Sequence, residues 1–210
     1  MRLLALFLAA LGLTAIGSPS AGAPLPTPTS YAQTCTLYGG CQAVPGHVPR
    51  ALRRPLHLPK LGPGGACPTS TGSEIDNNQF GGVALGHGSV RPLIDRAGDI
   101  KHGIIPFSRE KNGWWVVKID WFAYPRYQGP VFIRGRRLDG AGKVAFGGET
   151  PDGAPELFDP QLPPVPTANG TGGWREWLGG TWLRSLGCYA WQIDGTKFST
   201  IIVFKAIRWK

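Results

Sequence analysis

Glycine and proline recur so often along this chain that they limit the folds it can adopt. The 210 residues include 31 glycines and 20 prolines, and only 17% of the residues are charged. Both residues disfavour helix interiors, whereas long helical bundles are rich in Ala, Glu, Lys and Leu. Disorder over the whole length is disfavoured too, because 42% of the residues are apolar and 10% are aromatic. The composition therefore favours one small domain of short strands with irregular tails.

The first residues have the pattern of an export signal. Arg2 is followed by an apolar run over residues 3–13 and then by small residues. This pattern is typical of a secretory signal peptide, and the run is short for a membrane span, which needs about 20 apolar residues. We predict a signal over residues 1–17, with cleavage as late as Ala23 and retention as an anchor as the alternatives. The mature protein is expected to be secreted or to lie in the cell envelope, with no transmembrane span.

The four cysteines agree with export. Cys35, Cys41, Cys67 and Cys188 form an even set, which in an exported chain predicts two disulfides. Three connectivities are possible. A Cys35–Cys41 bond would close a short glycine-containing loop, and a Cys67–Cys188 bond would then close almost the whole domain. The closely spaced cysteine pairs of zinc sites are absent, so no metal and no cofactor is predicted.

Residues 18–66 differ in composition from the rest of the chain. Proline occurs throughout this segment without any sustained apolar periodicity, and proline interrupts helices and central strands. The pattern predicts an extended, basic, Pro/Gly-rich linker. A cell-surface spacer and a solvated tail are the two interpretations of it. Strand patterns begin near Cys67, so the folded domain is expected to span residues 67–210.

Alternating apolar residues indicate strands in this second region. The clearest are Trp114–Tyr124 and Gly187–Ile193, and Asp194-Gly195 after the latter predicts a two-residue hairpin turn into a return strand at Phe198–Ile207. Residues 147–173 are rich in Gly, Pro and acidic residues and are predicted to be a long loop. Several short strands with Gly and Pro turns predict an all-β fold, an antiparallel Ig-like (Greek-key) β-sandwich.

Tyr189 lies at the start of one of these strands, in the position of a tyrosine corner. In Greek-key sandwiches such a tyrosine binds the backbone a few residues upstream. Neighbouring residues of a strand point to opposite faces. If Tyr189 and Trp191 face the core, Cys188 faces outward. A bond from Cys188 would then clamp the segment that carries Cys67 onto the outside or edge of the sheet.

Four stretches together resemble a known group of proteins: Cys67-Pro68, residues 86–90, residues 127–140 and residues 187–198. They are similar to uncharacterised exported bacterial proteins of the Chloroflexota and actinobacterial type, often lipoproteins. The resemblance covers about residues 66–206 and implies an Ig-like β-sandwich in the cell envelope. The group has no established activity to carry over. The chain lacks the cysteine that lipoprotein members have at the signal cleavage site.

Familiar catalytic motifs are absent from the sequence, including the G-x-S-x-G elbow, H-E-x-x-H and the P-loop. His87 and Ser89 are two residues apart in one glycine-rich turn, but a nucleophile also needs a base and an orienting group brought together by the fold. We assign no catalytic residue, and a non-enzyme is the preferred interpretation. The alternative is a secreted hydrolase on a β-sandwich scaffold, which predicts a pocket that gathers His87 or His102 with carboxylates.

Charge and aromatic residues point to binding. The formal net charge is +9, and Arg134, Arg136 and Arg137 lie on one predicted strand, where they would attract anionic polymers. Trp174 and Trp177 lie in a glycine-rich segment and would stack on sugar rings. The alternatives are a solvated edge strand for the arginines and core packing for each tryptophan.

These features predict a non-catalytic binding module for an anionic envelope polymer or a saccharide. Nucleic acid is not expected as a partner, because the chain is exported and carries no nucleic-acid-binding motif. A structural or assembly module without a ligand is the remaining alternative. The oligomeric state is not predicted.

Overall fold

The computed structural model of the chain describes these residues: 33–36, 39–43, 48–62, 64–76, 81–94, 98–110, 112–147, 151, 155–158, 168–169 and 173–210. The predicted signal over residues 1–17 lies outside them. None of the described segments forms a helix long and apolar enough to cross a membrane.

The described residues form fourteen strands and two single turns of 3-10 helix. The turns are Arg50–Leu52 and Ile100–His102. The strands are β1 (Gln33–Thr36), β2 (Gly39–Ala43), β3 (Gly72–Asp76), β4 (Gly81–Leu85), β5 (Val90–Leu93), β6 (Ile104–Arg109), β7 (Trp115–Ala123), β8 (Val131–Arg137), β9 (Val144–Phe146), β10 (Glu156–Phe158), β11 (Ala168–Asn169), β12 (Arg175–Leu183), β13 (Gly187–Asp194) and β14 (Ser199–Arg208). The predicted all-β fold is confirmed.

The strands make two sheets that share β6. Sheet A has the order β1-β2-β10-β8-β13-β14, and sheet B has the order β3-β4-β5-β7-β12, with β9 and β11 paired to the far side of β12. Residues 104–107 of β6 pair in parallel with β14, and its last two residues pair antiparallel with β7. A strand that changes sheets in this way forms a corner between packed sheets. The remaining pairings are antiparallel, and the strand order does not confirm the predicted Ig-like Greek-key topology.

The facing sides of the two sheets form one core. Val117, Ile119 and Trp121 of β7 are fully buried there, on the face that their alternation predicted. Trp121 meets Trp191 of β13 edge to face across the two sheets, with ring centroids 5.4 Å apart. Such a pair contributes about 0.5–1.5 kcal/mol beyond the burial of its area. The outward face of each sheet lies on the side opposite this core and makes separate contacts.

The predicted corner and clamp at the start of β13 are both present. The Tyr189 hydroxyl donates a hydrogen bond of 2.6 Å to the carbonyl oxygen of Ser185, where the chain passes from sheet B to sheet A. Cys188 points to the outer face and forms a disulfide with Cys67, with the two Cα atoms 5.5 Å apart. The backbones of Cys35 and Cys41 are directly opposite each other in the β1–β2 pair. A bond between those two residues stays a prediction.

Two local predictions are corrected. The predicted loop over residues 147–173 contains β10 and β11, because Leu157 and Phe158 are fully buried and bring that segment into sheet A. The β13–β14 turn has four residues instead of two, since Asp194 pairs with Ser199 and the Gly195 N–H donates to the carbonyl oxygen of Phe198.

The segment with Trp174 and Trp177 was also interpreted as a glycine-flexible loop, and most of it is strand β12. A side chain at Gly179 would approach the Glu156 carboxylate to 2.6 Å. Gly179 therefore serves close packing within a strand, not loop flexibility.

Candidate binding face

The outer face of sheet A is covered by the described part of the predicted linker. We call residues 48–62 and 64–67 the strap. Leu52 is fully buried and packs with Val48, Phe132 and Leu157. This part of the chain is therefore not a solvated tail, because Leu52 and Leu58 find apolar partners on the sheet. The domain boundary at residue 67 stays a prediction.

The strap runs antiparallel to β13, whose outward residues it contacts one after another. The backbone N–H of His57 donates to Oε1 of Gln192 at 2.8 Å, and Nε2 of Gln192 donates to the carbonyl of Pro55 at 2.9 Å. Further along, Leu58 packs in a cluster with Ala190 and the disulfide closes the far end. Gln192 is fully buried, so its amide is satisfied by the strap instead of by water.

Asp194 anchors the other end of the strap. Its carboxylate is fully buried and lies 2.6 Å from Nη2 of Arg134 and 3.8 Å from Nη1 of Arg54. Arg134 also donates to the backbone carbonyl of Arg54 at 2.6 Å. Arg54 in turn donates to three carbonyl oxygens of the β13–β14 turn. Asp194 therefore connects its own strand β13 with the neighbouring strand β8 and with the strap.

The resulting surface is basic. We call the strap, together with the outward residues of β8, β13 and β14, the strap face. The strap contains no Asp or Glu, and among the described outward residues of those three strands Asp194 is the one acid, buried beneath its arginines. Exposed cations from three elements belong to this face: Arg50, Arg53, Lys60, Arg136 and Lys205.

The three predicted arginines divide between two places. Arg134 and Arg136 point outward from β8 onto the strap face, whereas Arg137 has the opposite parity and lies at the tyrosine corner. Nε of Arg137 donates to Asp139 at 2.6 Å and its Nη1 donates to Ser185 at 2.6 Å. Burial would raise the pKa of Asp139, but the hydrogen bonds from Arg137 and from a backbone N–H outweigh it and lower that pKa. Arg137 thus holds the corner together.

The two predicted tryptophans lie elsewhere. Trp177 is 5% exposed and stacks on Phe158 in the core at 5.2 Å, which matches the core-packing alternative and leaves no ring face for a ligand. Trp174 is half-buried on the outer face of sheet B, 4.5 Å from Tyr124 between ring centroids. The structure therefore does not bring the tryptophans together with the arginines.

A groove on the strap face was missed by sequence reasoning. It has a volume of about 280 Å³ and is lined by Val48, Arg53, Phe132 and Arg134. Its two arginines are 81 residues apart in sequence, which is why no local pattern predicted it. The signal that the sequence offered was the pair Arg53-Arg54 within a segment that contains no acidic residue.

The histidines of the hydrolase alternative lie at surface turns. His102 Nδ1 is 2.6 Å from Asp99 Oδ1, and both side chains are more than half exposed. His87 is exposed in the turn before β5. Among the described residues no three His, Cys, Asp or Glu side chains are grouped as metal ligands.

One carboxyl group is fully buried in the core. Glu156 of β10 points toward Gly179 between the sheets. Burial raises the pKa of Glu156 well above its ordinary value, although the Trp121 indole N–H and the Gly147 backbone N–H lie close and lower it. Neither contact has the geometry of a full hydrogen bond. With no solvent-exposed surface, this acid is placed to affect stability and not to meet a substrate.

No protein-family model, no curated protein and no solved structure matches this chain. The resemblance to exported bacterial β-sandwich proteins therefore stays a prediction.

Proposed function

We propose that the chain is a non-enzymatic binding module that holds an anionic polymer of the cell envelope on its strap face. The observation that carries this proposal is the distribution of charge. Exposed cations from the strap, β8 and β14 share one surface, and Asp194 on that surface is buried and already paired. A surface of one sign raises the local concentration of the opposite sign, most strongly at low ionic strength.

Rigidity supports the same function. The strap is tied at one end by the Cys67–Cys188 disulfide and at the other by the Asp194 ion pairs. Cations fixed in place lose little conformational freedom when a ligand binds, so more of the interaction energy appears as affinity. Stacking on Trp174 would not contribute to the same site, because that ring lies on the outer face of sheet B.

Export to the envelope is part of the proposal. The signal-like N-terminus supports it, and so does the disulfide, since such bonds persist mainly in oxidising compartments. Kinship with exported Ig-like sandwich proteins also belongs to the proposal. It rests on the four stretches of sequence that carry the resemblance.

The test is retention on immobilised dextran sulfate, with neutral dextran as the control matrix. We expect retention at low salt on the charged matrix alone, and elution as salt rises. A triple variant of the strap face, Arg50→Gln, Arg136→Gln and Lys205→Gln, should elute at clearly lower salt. A matched triple variant away from the strap, Lys101→Gln, Lys118→Gln and Arg126→Gln, removes the same charge and should retain the wild-type elution.

Two outcomes would overturn the proposal. One is the absence of retention by the wild-type protein at low salt. The other is an equal loss in both triple variants, which would mean that net charge, and not the strap face, determines binding.

A further inference from the structure

We propose that the strap face docks on the surface of a lipid bilayer that carries anionic headgroups, with Leu56 and Ile201 inserted at the boundary between headgroups and acyl chains. Docking of this kind goes beyond the proposed function, because it adds a second partner. It also depends on two apolar side chains that the binding of a charged polymer does not require.

Leu56 and Ile201 are exposed, whereas the nearest apolar residues in the same two elements are packed. Leu56 of the strap is 41% exposed, and Ile201 of β14 is 37% exposed. Leu58 in the strap and Val203 in β14 are 9% and 6% exposed and belong to one cluster. Trp209, the third large apolar residue that is exposed among the described residues, follows the far end of β14. The strap thus covers Val203 but leaves Ile201 open to solvent.

The two exposed side chains lie beside the same buried residue, Gln192. Ile201 is directly opposite Gln192 in the register of β13 and β14, and residues in that relation share a face of the sheet. The Gln192 side chain accepts from the backbone N–H of His57 and donates to the carbonyl of Pro55. Leu56 is the residue between those two contacts. The fold therefore brings Leu56 and Ile201 into one apolar patch.

Exposed cations border the apolar patch. Arg136 of β8 is opposite Ala190, which is two residues before Gln192 in β13. Lys205 is exposed four residues after Ile201 in β14. At about 3.4 Å per residue, both cations lie within about 14 Å of the patch along the strands. The strap face therefore presents apolar side chains and positive charge to the same surrounding layer.

A bilayer with anionic lipids meets both kinds of side chain at once. Its headgroups attract exposed lysine and arginine residues, and its acyl boundary takes up apolar side chains. A polymer of sulfate or phosphate groups attracts the cations but offers no apolar surface to the patch. A second copy of the chain is disfavoured, because that contact would bring the same cations together. Charge and apolar exposure together therefore favour an anionic membrane surface.

Sedimentation with vesicles tests the docking. The probes are vesicles of phosphatidylcholine and phosphatidylglycerol in equal amounts, and vesicles of phosphatidylcholine alone are the neutral control. We expect the wild-type protein to sediment with the anionic vesicles at low salt and to stay in solution beside the neutral ones. The triple variant of the strap face should bind the anionic vesicles more weakly than the matched triple variant away from the strap.

Matched double variants of the apolar patch separate the membrane from the polymer. Leu56→Gln with Ile201→Thr should weaken binding to the anionic vesicles about tenfold, because half-exposed aliphatic side chains no longer enter the acyl boundary. Leu56→Met with Ile201→Val keeps the patch apolar and should retain the wild-type affinity. Both double variants should elute from dextran sulfate as the wild type does. Thermal melting checks their folding, and little loss of stability is expected at exposed positions.

The outcomes distinguish the docking from the proposed function. Equal vesicle affinity of the two double variants, or equal binding to neutral and anionic vesicles, would overturn the docking while retention on dextran sulfate still supports the polymer. A dimer that forms without vesicles and is lost in the polar double variant would overturn it too, since a second copy would then cover the patch. Vesicle binding that is lost in the polar double variant, without any retention on dextran sulfate, would support the docking and contradict the proposed function.

Discussion

The outer faces of the two sheets are covered in different ways. On sheet B, side chains of the sheet itself pack together, with Phe122 at the centre and Tyr124 and Trp174 against it. On sheet A, the cover is a separate segment whose cysteine lies 121 residues from its partner in β13. A separate segment can place apolar side chains against the sheet and cations toward the solvent.

The distribution of charge also differs between the two outer faces. On sheet B, Lys101 pairs with Glu74 at 2.6 Å, and this hydrogen bond lowers the pKa of Glu74. Burial and the nearby Asp120 raise the pKa of Glu176, and Lys118 acts in the opposite direction. Acids and bases are thus interleaved on sheet B, whereas on the strap face Asp194 is buried, and the exposed Asp139 beside strap residues 61–62 and 64–65 is paired with Arg137. This difference in charge would favour the binding of an anion to the strap face over the outer face of sheet B.

The largest expected effect comes from removing the disulfide. In the chain-entropy account, a bond closing a loop of this size stabilises by about 4–5 kcal/mol. Cys67→Ala with Cys188→Ala should lower the free energy of unfolding by an amount of that order in urea titrations. Hydrogen exchange should show the strap losing more protection than β3, β4 and β5, whose loss should be no larger than the fall in the global free energy of unfolding. An equal loss of protection in the strap and in those strands would contradict a separately fastened strap.

The next effect comes from Asp194. Asp194→Asn leaves two arginines without their carboxylate, and breaking a buried pair costs about 3–5 kcal/mol. Because the arginines are 31% and 17% exposed, we expect a value near the lower end, about 3 kcal/mol. Glu74→Gln on sheet B is the matched control and should have no measurable effect, since both partners of its ion pair are exposed. Equal losses of stability in the two variants would contradict the distinction between the two faces.

Glu156 lies between the sheets and should affect both faces alike. Its raised pKa means that the folded protein holds a proton that the unfolded chain has released. Stability should therefore fall as the pH rises above the ordinary glutamate value, by at most about 1.4 kcal/mol per pH unit, until the folded pKa is passed. Glu156→Gln should flatten this dependence in denaturation curves measured across pH. A wild-type stability that rises over the same range would contradict the assignment.

The smallest effect is expected for Trp174. Trp174→Leu keeps an apolar side chain but removes the ring contacts with Tyr124 and Phe122, and it should cost about 1 kcal/mol, the excess of an aromatic pair over its buried area. Elution from dextran sulfate should not change, because the ring lies on the sheet B side. A large loss of retention would mean that the tryptophan and the arginines act together after all.

Local periodicity predicted the parts of the fold that depend on neighbouring residues. The alternation in β7, the tyrosine corner and the outward direction of Cys188 all follow from period-two geometry. The path of the strap was not predictable in this way. Leu52 and Leu58 lie among prolines without any period, and their partners are in strands more than seventy residues away.

The candidate site was predicted in part for the same reason. Arg134 and Arg136 share a strand parity and share a face, and the parity of Arg137 already places it on the other side. Trp177 was misplaced because Gly179 and Gly180 hide the strand pattern of β12. The groove forms only where the strap lies against β8, so the sequence alone does not place Arg53 beside Arg134.

The most direct test of the account is a hydrogen-exchange footprint of the protein with and without dextran sulfate at low salt. We predict added protection in residues 48–62 and in β8 and β14, with β3, β4, β5 and β12 unchanged. Protection on the sheet B side, or spread evenly over both faces, would contradict the claim that the strap face binds the polymer.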